Sequence, residues 1–355
     1  MTAHSNDDKI RGITAGSAPV PLSVLDLAPV GSGRTAAHSL RTGVELARLG
    51  DRRGFHRYWV AEHHAMPDIA SSSPAVVLAH LAAHTRRLRL GAGGVMLPNH
   101  APLIVAEQFG TLEALAPDRI DLGVGRAGGT DAATAAALGR SDDAEDFPRR
   151  LGSLLHLLDD DVPEGHALAG VRAVPGRAQG LPSRPPVWIL GASEGSAELA
   201  GRLGLPYAFA HHFFARRTVP ALERYRECFR PSALLASPYA LISVPVLAAD
   251  NMGEARRQVR TGALAMIRRR LTGRSGPIPT PEEAEAHRFG AEDEELLRAR
   301  LDVIVHGPGD EVRAGLDALQ KTTGADELMI TSTAHAGETR LRSYELLADA
   351  YGMPG

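Results

Sequence analysis

The 355-residue chain has a single cysteine, Cys228, which excludes an internal disulfide framework and leaves no cysteine cluster to hold zinc. In the helix expected around Tyr225–Phe229 that thiol reads as an inert residue, and the scarcity of cysteine fits a reducing cytoplasm. No apolar run approaches the roughly 20 residues that a bilayer-spanning helix needs. Residues 1–18 mix Thr, Ser, Asn, Asp and Gly without an apolar stretch of the secretory kind, so a soluble chain with a loose tail over 1–18 is expected. A large excess of one charge is also missing: the formal net charge is −3, which makes no electrostatic case for nucleic acid or an anionic membrane. The chain has no short-period repeat, no low-complexity block and no evident inter-domain linker. It also has no H-E-x-x-H, G-x-S-x-G or Walker motif. The adjacent pairs His63–His64 and His211–His212 point to opposite faces of an extended backbone, so no catalytic metal is expected.

What is present is ordinary globular composition, 44% hydrophobic and 23% charged, with short β-type runs alternating with helical stretches. Strands are expected at Leu22–Leu27, Tyr58–Ala61, Leu88–Val95, Arg119–Val124, Val187–Leu190, Pro206–Ala210, Ala240–Leu247 and Glu327–Thr331. Eight runs, each leading into a helix, match an α/β fold of the (β/α)8 TIM-barrel type, in one domain over 19–355. Two insertions interrupt the rhythm. Residues 160–184 are expected to carry a small hairpin over Val162–Ala178. Residues 272–290, rich in Pro and Gly, are either a lid over the barrel mouth or a solvated insertion.

The chemistry gathers at strand ends. Tyr58–Ala61 is an apolar run that stops at Glu62, His63 and His64, as a buried parallel strand does when its mouth is a reaction site. Histidine titrates near neutrality and a neighbouring carboxylate orients it, although a strand-end histidine is often only structural. Gly91, Gly93 and Gly94 inside the third strand imply a bulge, an unusual peptide or a close approach to the backbone. The G-x-G-x-x-G spacing of Gly123, Gly125 and Gly128 follows the fourth strand rather than a first one, which weakens a dinucleotide reading. Arg126, beside Gly125, is suited to a phosphate or a carboxylate. After the fifth strand, Gly191, Ala192, Ser193 and Ser196 open a helix whose N-terminus either binds phosphate or is simply capped.

Taken together, these motifs resemble the bacterial luciferase-like family of flavin-dependent monooxygenases, from about Leu22 to Ala350. Glu62-His63-His64 is similar to that family's second-strand ending, and Asp118–Arg126 to its fourth-strand pattern. Gly93–Pro98 with Asn99, followed by Ala106-Glu107-Gln108, is similar to its third-strand segment and the helix beyond. The resemblance implies FMN, or reduced FMN from a separate flavin reductase, reacting with O2 through a peroxyflavin to oxygenate a small, apolar organic substrate. It implies His63 as catalytic acid/base with Glu62 as its orienting or flavin-contacting partner. It also implies cofactor contacts from Gly93, Gly94, Asn99, Gly125, Arg126, Gly191, Ala192, Ser193 and Ser196, and a cis peptide at Gly93–Gly94. The chain departs from the luciferases at Gly125, where they carry cysteine, and at Ala192, where they carry a carboxylate, so light emission is not implied. Hydride transfer with a deazaflavin (coenzyme F420) and non-catalytic flavin binding are the alternatives. A homodimer is implied through helices Ala75–Thr85 and Pro102–Leu115, and Leu25, Phe55, Met96, His211, Phe213 and Phe214 are candidates for an apolar pocket.

Overall fold

The computed structural model describes residues 10–127, 131–140 and 146–355. Among the described residues there are nine parallel strands: β1 (Leu22–Asp26), β2 (Arg57–Val60), β3 (Arg89–Met96), β4 (Ile120–Gly125), β5 (Val187–Gly191), β6 (Tyr207–Phe209), β7 (Ala240–Ala248), β8 (Val305–Gly307) and β9 (Glu327–Thr331). Strands β1 to β7 and β9 close a ring in which β6 pairs with β7, β7 with β9 and β9 with β1. This is the expected (β/α)8 barrel. Strand β8 pairs only with the far end of β7, Val246 opposite Val305, and was not visible as a strand in the sequence.

The strands are buried on both faces, so they read as continuous apolar runs rather than alternating ones. All nine residues of β7 are buried. Outward residues such as Val24, Val60, Leu122 and Ile330 pack under the helices. Inward residues Leu25, Trp59, Trp188, Leu241 and Met329 fill the barrel. Trp59 and Trp188 meet there edge to face, with ring centroids 5.2 Å apart, a geometry the ring quadrupoles favour. The glycines of β3 make room for this filling. A Cβ on Gly91 would stand 2.5 Å from Trp59 Nε1, and one on Gly94 would stand 2.8 Å from Gly123 O of β4. The close approach inferred for this strand is therefore made by the protein itself. The Gly93–Gly94 peptide is cis, as expected.

Two expectations change, and a third segment gains a defined docking. The loose tail does not extend over residues 10–18: Ile10 is fully buried, its carbonyl accepts from Arg57 Nη2 at 2.6 Å, and Ser17 N donates to Tyr351 O. Residues 1–9 lie outside the described residues. No hairpin forms over Val162–Ala178; turns and one short 3-10 helix, Arg177–Gln179, occupy the segment. Its six glycines and prolines between 163 and 180 leave no alternating run to pair. Residues 272–290 contain a helix, Pro281–Ala286, and are docked on the loop after β1: Ser32 N donates to Ile278 O and Ile278 N to Val30 O. No helix among the described residues is long and apolar enough to cross a membrane.

Candidate active site

Strand β2 delivers Glu62 to the C-terminal mouth of the barrel, where its side chain is 1% exposed. Three donors converge on it. Oε1 accepts from His64 Nε2 at 2.8 Å and from His100 Nε2 at 2.7 Å, and Oε2 accepts from Met96 N at 3.1 Å. Both imidazole bonds require the proton on Nε2, which sets the tautomers. Burial alone would raise the carboxyl pKa; the hydrogen bond and charge of His100, the bond from His64 and the Met96 amide outweigh it and hold the pKa below its ordinary value. Glu62 thus orients His64 and His100. His100 was missed in the sequence, although it follows Asn99 at the end of the strand next to β2. The ligand atoms of Glu62, His64 and His100 lie within 4.8 Å of one another, a set able to hold a cation. The third member, His100, comes from the loop after β3, so the adjacent histidines alone do not announce the set.

His63 is half-buried on the same loop, and its amide donates to Ser71 O at 2.9 Å. It stands within electrostatic reach of Asp68 and of His212 across the mouth. His212 Nδ1 is 2.6 Å from Ser243 Oγ. Burial, then the positive charge of Arg300, push the His212 pKa down to about 3, and burial brings His211 down to about 4. Both imidazoles are therefore neutral at physiological pH. His211 is buried and Phe213 is exposed, so the apolar candidates do not line one surface; Phe55 lies in the core between strands and helices, away from the mouth.

The second half of the mouth is built by β4 and β5, which pair with Gly125 opposite Leu190. Arg126 follows Gly125 directly and is exposed, without an ion pair among the described residues. Gly128, the last glycine of the G-x-G-x-x-G spacing, lies outside the described residues. Beyond β5, Gly191 and Ala192 lead to Ser193, the N-cap of the nine-residue helix Glu194–Arg202. Ser193 and Ser196 form a capping box, and Ser196 Oγ lies 3.0 Å from Tyr207 OH. Gly191 is needed for this packing, because a Cβ there would stand 2.0 Å from Ser196 Oγ. A Cβ on Gly195 would touch only Ser193 Oγ, at 4.0 Å, so the first turn of the helix is open to an approaching group. An exposed guanidinium beside an open helix N-terminus suits a phosphate. Gly93 and Gly94 lie on the adjoining strand β3, and Asn99 ends the short turn that follows it.

Residues 20–327 match the family model described as luciferase-like monooxygenase. The chain is 42% identical over 332 residues to a luciferase-like monooxygenase of Escherichia coli strain K12, covering 93% of this chain and 96% of that one. It is 36% identical over 337 residues to N-acetyl-S-alkylcysteine monooxygenase of Bacillus subtilis, covering 93% and 98%. The crystal structure of apo-MsnO8 superimposes with a TM-score of 0.82 at 40% identity, covering 94% and 98%. Two remoter structures share the fold: the oxygenating constituent of a Pseudomonas putida diketocamphane monooxygenase in complex with FMN, at 19% identity, and an F420-dependent secondary alcohol dehydrogenase, at 15%. The chain belongs to the luciferase-like monooxygenase family, and with it to the oxidoreductases.

Proposed function

We propose that the chain is a monooxygenase that uses reduced FMN and O2 to place one oxygen atom on a small organic substrate. The observation that carries this reading is the pairing of exposed Arg126 with the open N-terminus of helix Glu194–Arg202 at neighbouring strand ends, on the mouth that also bears His63. Those residues fit a flavin phosphate: Arg126 offers two parallel N–H donors, the first helical turn offers amides, and Ser193 and Ser196 offer hydroxyls. Reduced FMN, when bound, supplies the electrons for O2 activation. Gly93, Gly94, Asn99, Gly125, Gly191 and Ala192 line its approach as small or neutral residues. His63 gives or takes the proton at the reacting centre. Glu62, ionised by its three donors, keeps His64 and His100 fixed beside that centre. Neutral His212 adds no charge to the opposite wall. The names of the E. coli and B. subtilis relatives support oxygen transfer as the reaction class.

Within the same proposal the flavin is reduced by a separate reductase and the protein works as a homodimer. Helices Pro74–Ala82 and Pro102–Leu115 present Val76, Ile104 and Leu115 to solvent at 71%, 48% and 69% exposure, which supports pairing through that face. Light scattering during gel filtration is expected to give the mass of a dimer, and Ile104→Glu to shift it toward the monomer. A wild-type monomer removes this part of the reading. The reaction itself is tested by mixing the protein, a flavin reductase, FMN and candidate substrates under labelled O2. Product mass raised by one labelled oxygen is expected. Substrate reduction or oxidation by deazaflavin, without oxygen incorporation, would assign hydride transfer instead.

A further inference from the structure

Across the mouth from the phosphate site, a cavity of about 80 Å³ opens between the ends of β7 and β9 and the helices Met252–Thr272 and Ala291–Val303. Its walls are mostly apolar, with Leu27, Phe213, Val246, Val259 and Ile304. One charged side chain lines it, Arg300. The arginines buried in the core have carboxylate partners: Arg57 pairs with Glu327 and Asp121, and Arg340 with Asp26. Arg300 makes no ion pair among the described residues; its Nη1 donates to the carbonyl of His212 at 3.3 Å. Burial alone acts on its pKa, downward, with no opposing anion. A half-buried guanidinium beside an apolar wall costs desolvation energy that an anion must offset. Two further polar atoms of lining residues, Gln258 Oε1 and Thr331 Oγ1, are buried without a hydrogen-bond partner among the described residues. Unsatisfied groups of this kind, gathered on one cavity, mark a place built for a ligand.

We infer that this cavity seats the substrate and that Arg300 binds its carboxylate, so that the substrate is a small organic acid with an apolar body. The planar guanidinium fork matches a carboxylate, while the cavity's volume limits the bound part to a head group and a few carbons. Arg300 is thus a specificity-determining residue on the wall opposite the phosphate clamp. The inference deepens the monooxygenase reading by naming its substrate class, but its binding test stands apart from turnover.

The full-length protein, with and without oxidised FMN, is titrated with hexanoate and with hexanamide, its neutral isostere, by calorimetry and ligand-observed NMR. Hexanoate is expected to bind at least about tenfold tighter than hexanamide, the margin of one charge-assisted contact. Arg300→Met is expected to erase that preference and Arg300→Lys to keep part of it, with FMN affinity unchanged in both. Equal binding of acid and amide, no binding of hexanoate, or a preference that survives Arg300→Met overturns the inference. So does loss of FMN affinity in Arg300→Met with hexanoate binding intact, which would assign the arginine to the flavin. Hexanoate preference without oxygen incorporation in any substrate screen would sink the monooxygenase reading and leave the acid site standing.

Discussion

A single carboxylate, Glu62, organises the chemistry of the barrel mouth. Its folded pKa lies below the ordinary value of 4.5, so its contribution to stability is present above that value and is lost as pH falls through the folded pKa. Glu62→Gln weakens three donor contacts at once and is expected to cost about 2 kcal/mol at pH 7. Denaturant unfolding of both proteins checks this, and the gap is expected to narrow below pH 4.5. An equal gap at pH 7 and in acid would show that packing rather than charge sets the cost. His63→Ala has a different signature. Turnover is expected to fall about 100-fold or more, the usual worth of a positioned acid/base, while FMN affinity, read by fluorescence quenching, holds. Unchanged turnover would return His63 to a structural role. The apolar run ending in Glu62-His63-His64 was legible as a site. The direction of Glu62 was not, because its second imidazole lies 38 residues away and reaches it only through the pairing of β2 with β3.

Long elements with a clear period were legible in the sequence. Helix Pro102–Leu115, opened by a proline at its first turn, has the expected bounds, and so does strand Glu327–Thr331. The three-residue β8 carries too short a pattern to separate from loop. Glycine-rich β3 could be read as a place of close approach, but what approaches, the Trp59 ring and the β4 backbone, depends on barrel closure. The turn after β5 is the same case: the sequence allowed both a cap and a phosphate site, and the structure shows a capping box on an open helix end. Gly191→Ala tests how tightly the two are linked. The added methyl would press on Ser196 Oγ and displace the first helical turn. Overpacking of this kind typically costs about 1–3 kcal/mol, and FMN is expected to bind roughly tenfold more weakly for each 1.4 kcal/mol lost from the site. Wild-type FMN affinity in a destabilised Gly191→Ala protein would separate the cap from the cofactor and count against the phosphate assignment.

The whole barrel is tied at its N-terminal end by charges that no local pattern announces. Arg57 of β2 is fully buried and bonds Glu327 of β9 through Nε at 2.8 Å and Nη2 at 3.0 Å. Its Nη1 donates to Asp121 of β4 at 2.8 Å, and Arg89 of β3 bonds the same carboxylate. Ser23 of β1 and Tyr239 complete Glu327, and Trp59 Nε1 adds a donor to Asp121. Two guanidinium groups and two carboxylates balance in charge while joining five strands of the ring. The partners of Arg57 lie 64 and 270 residues away in the chain, which is why the motif around Asp121 could be read as a family pattern but not as a structural one. Burial opposes ionisation of Asp121, and Arg89 and Arg57 more than reverse it, so its pKa is lowered and its contribution is lost only in acid. Arg57→Met keeps the volume and leaves carboxylate charge unpaired in the core. A cost of about 3–5 kcal/mol is expected by denaturant unfolding at pH 7. Adding Glu327→Gln to Arg57→Met removes one stranded charge and is expected to recover part of that loss. Additive costs in the double variant would mean that the two side chains act independently, and would break the case for a charge layer that closes the barrel.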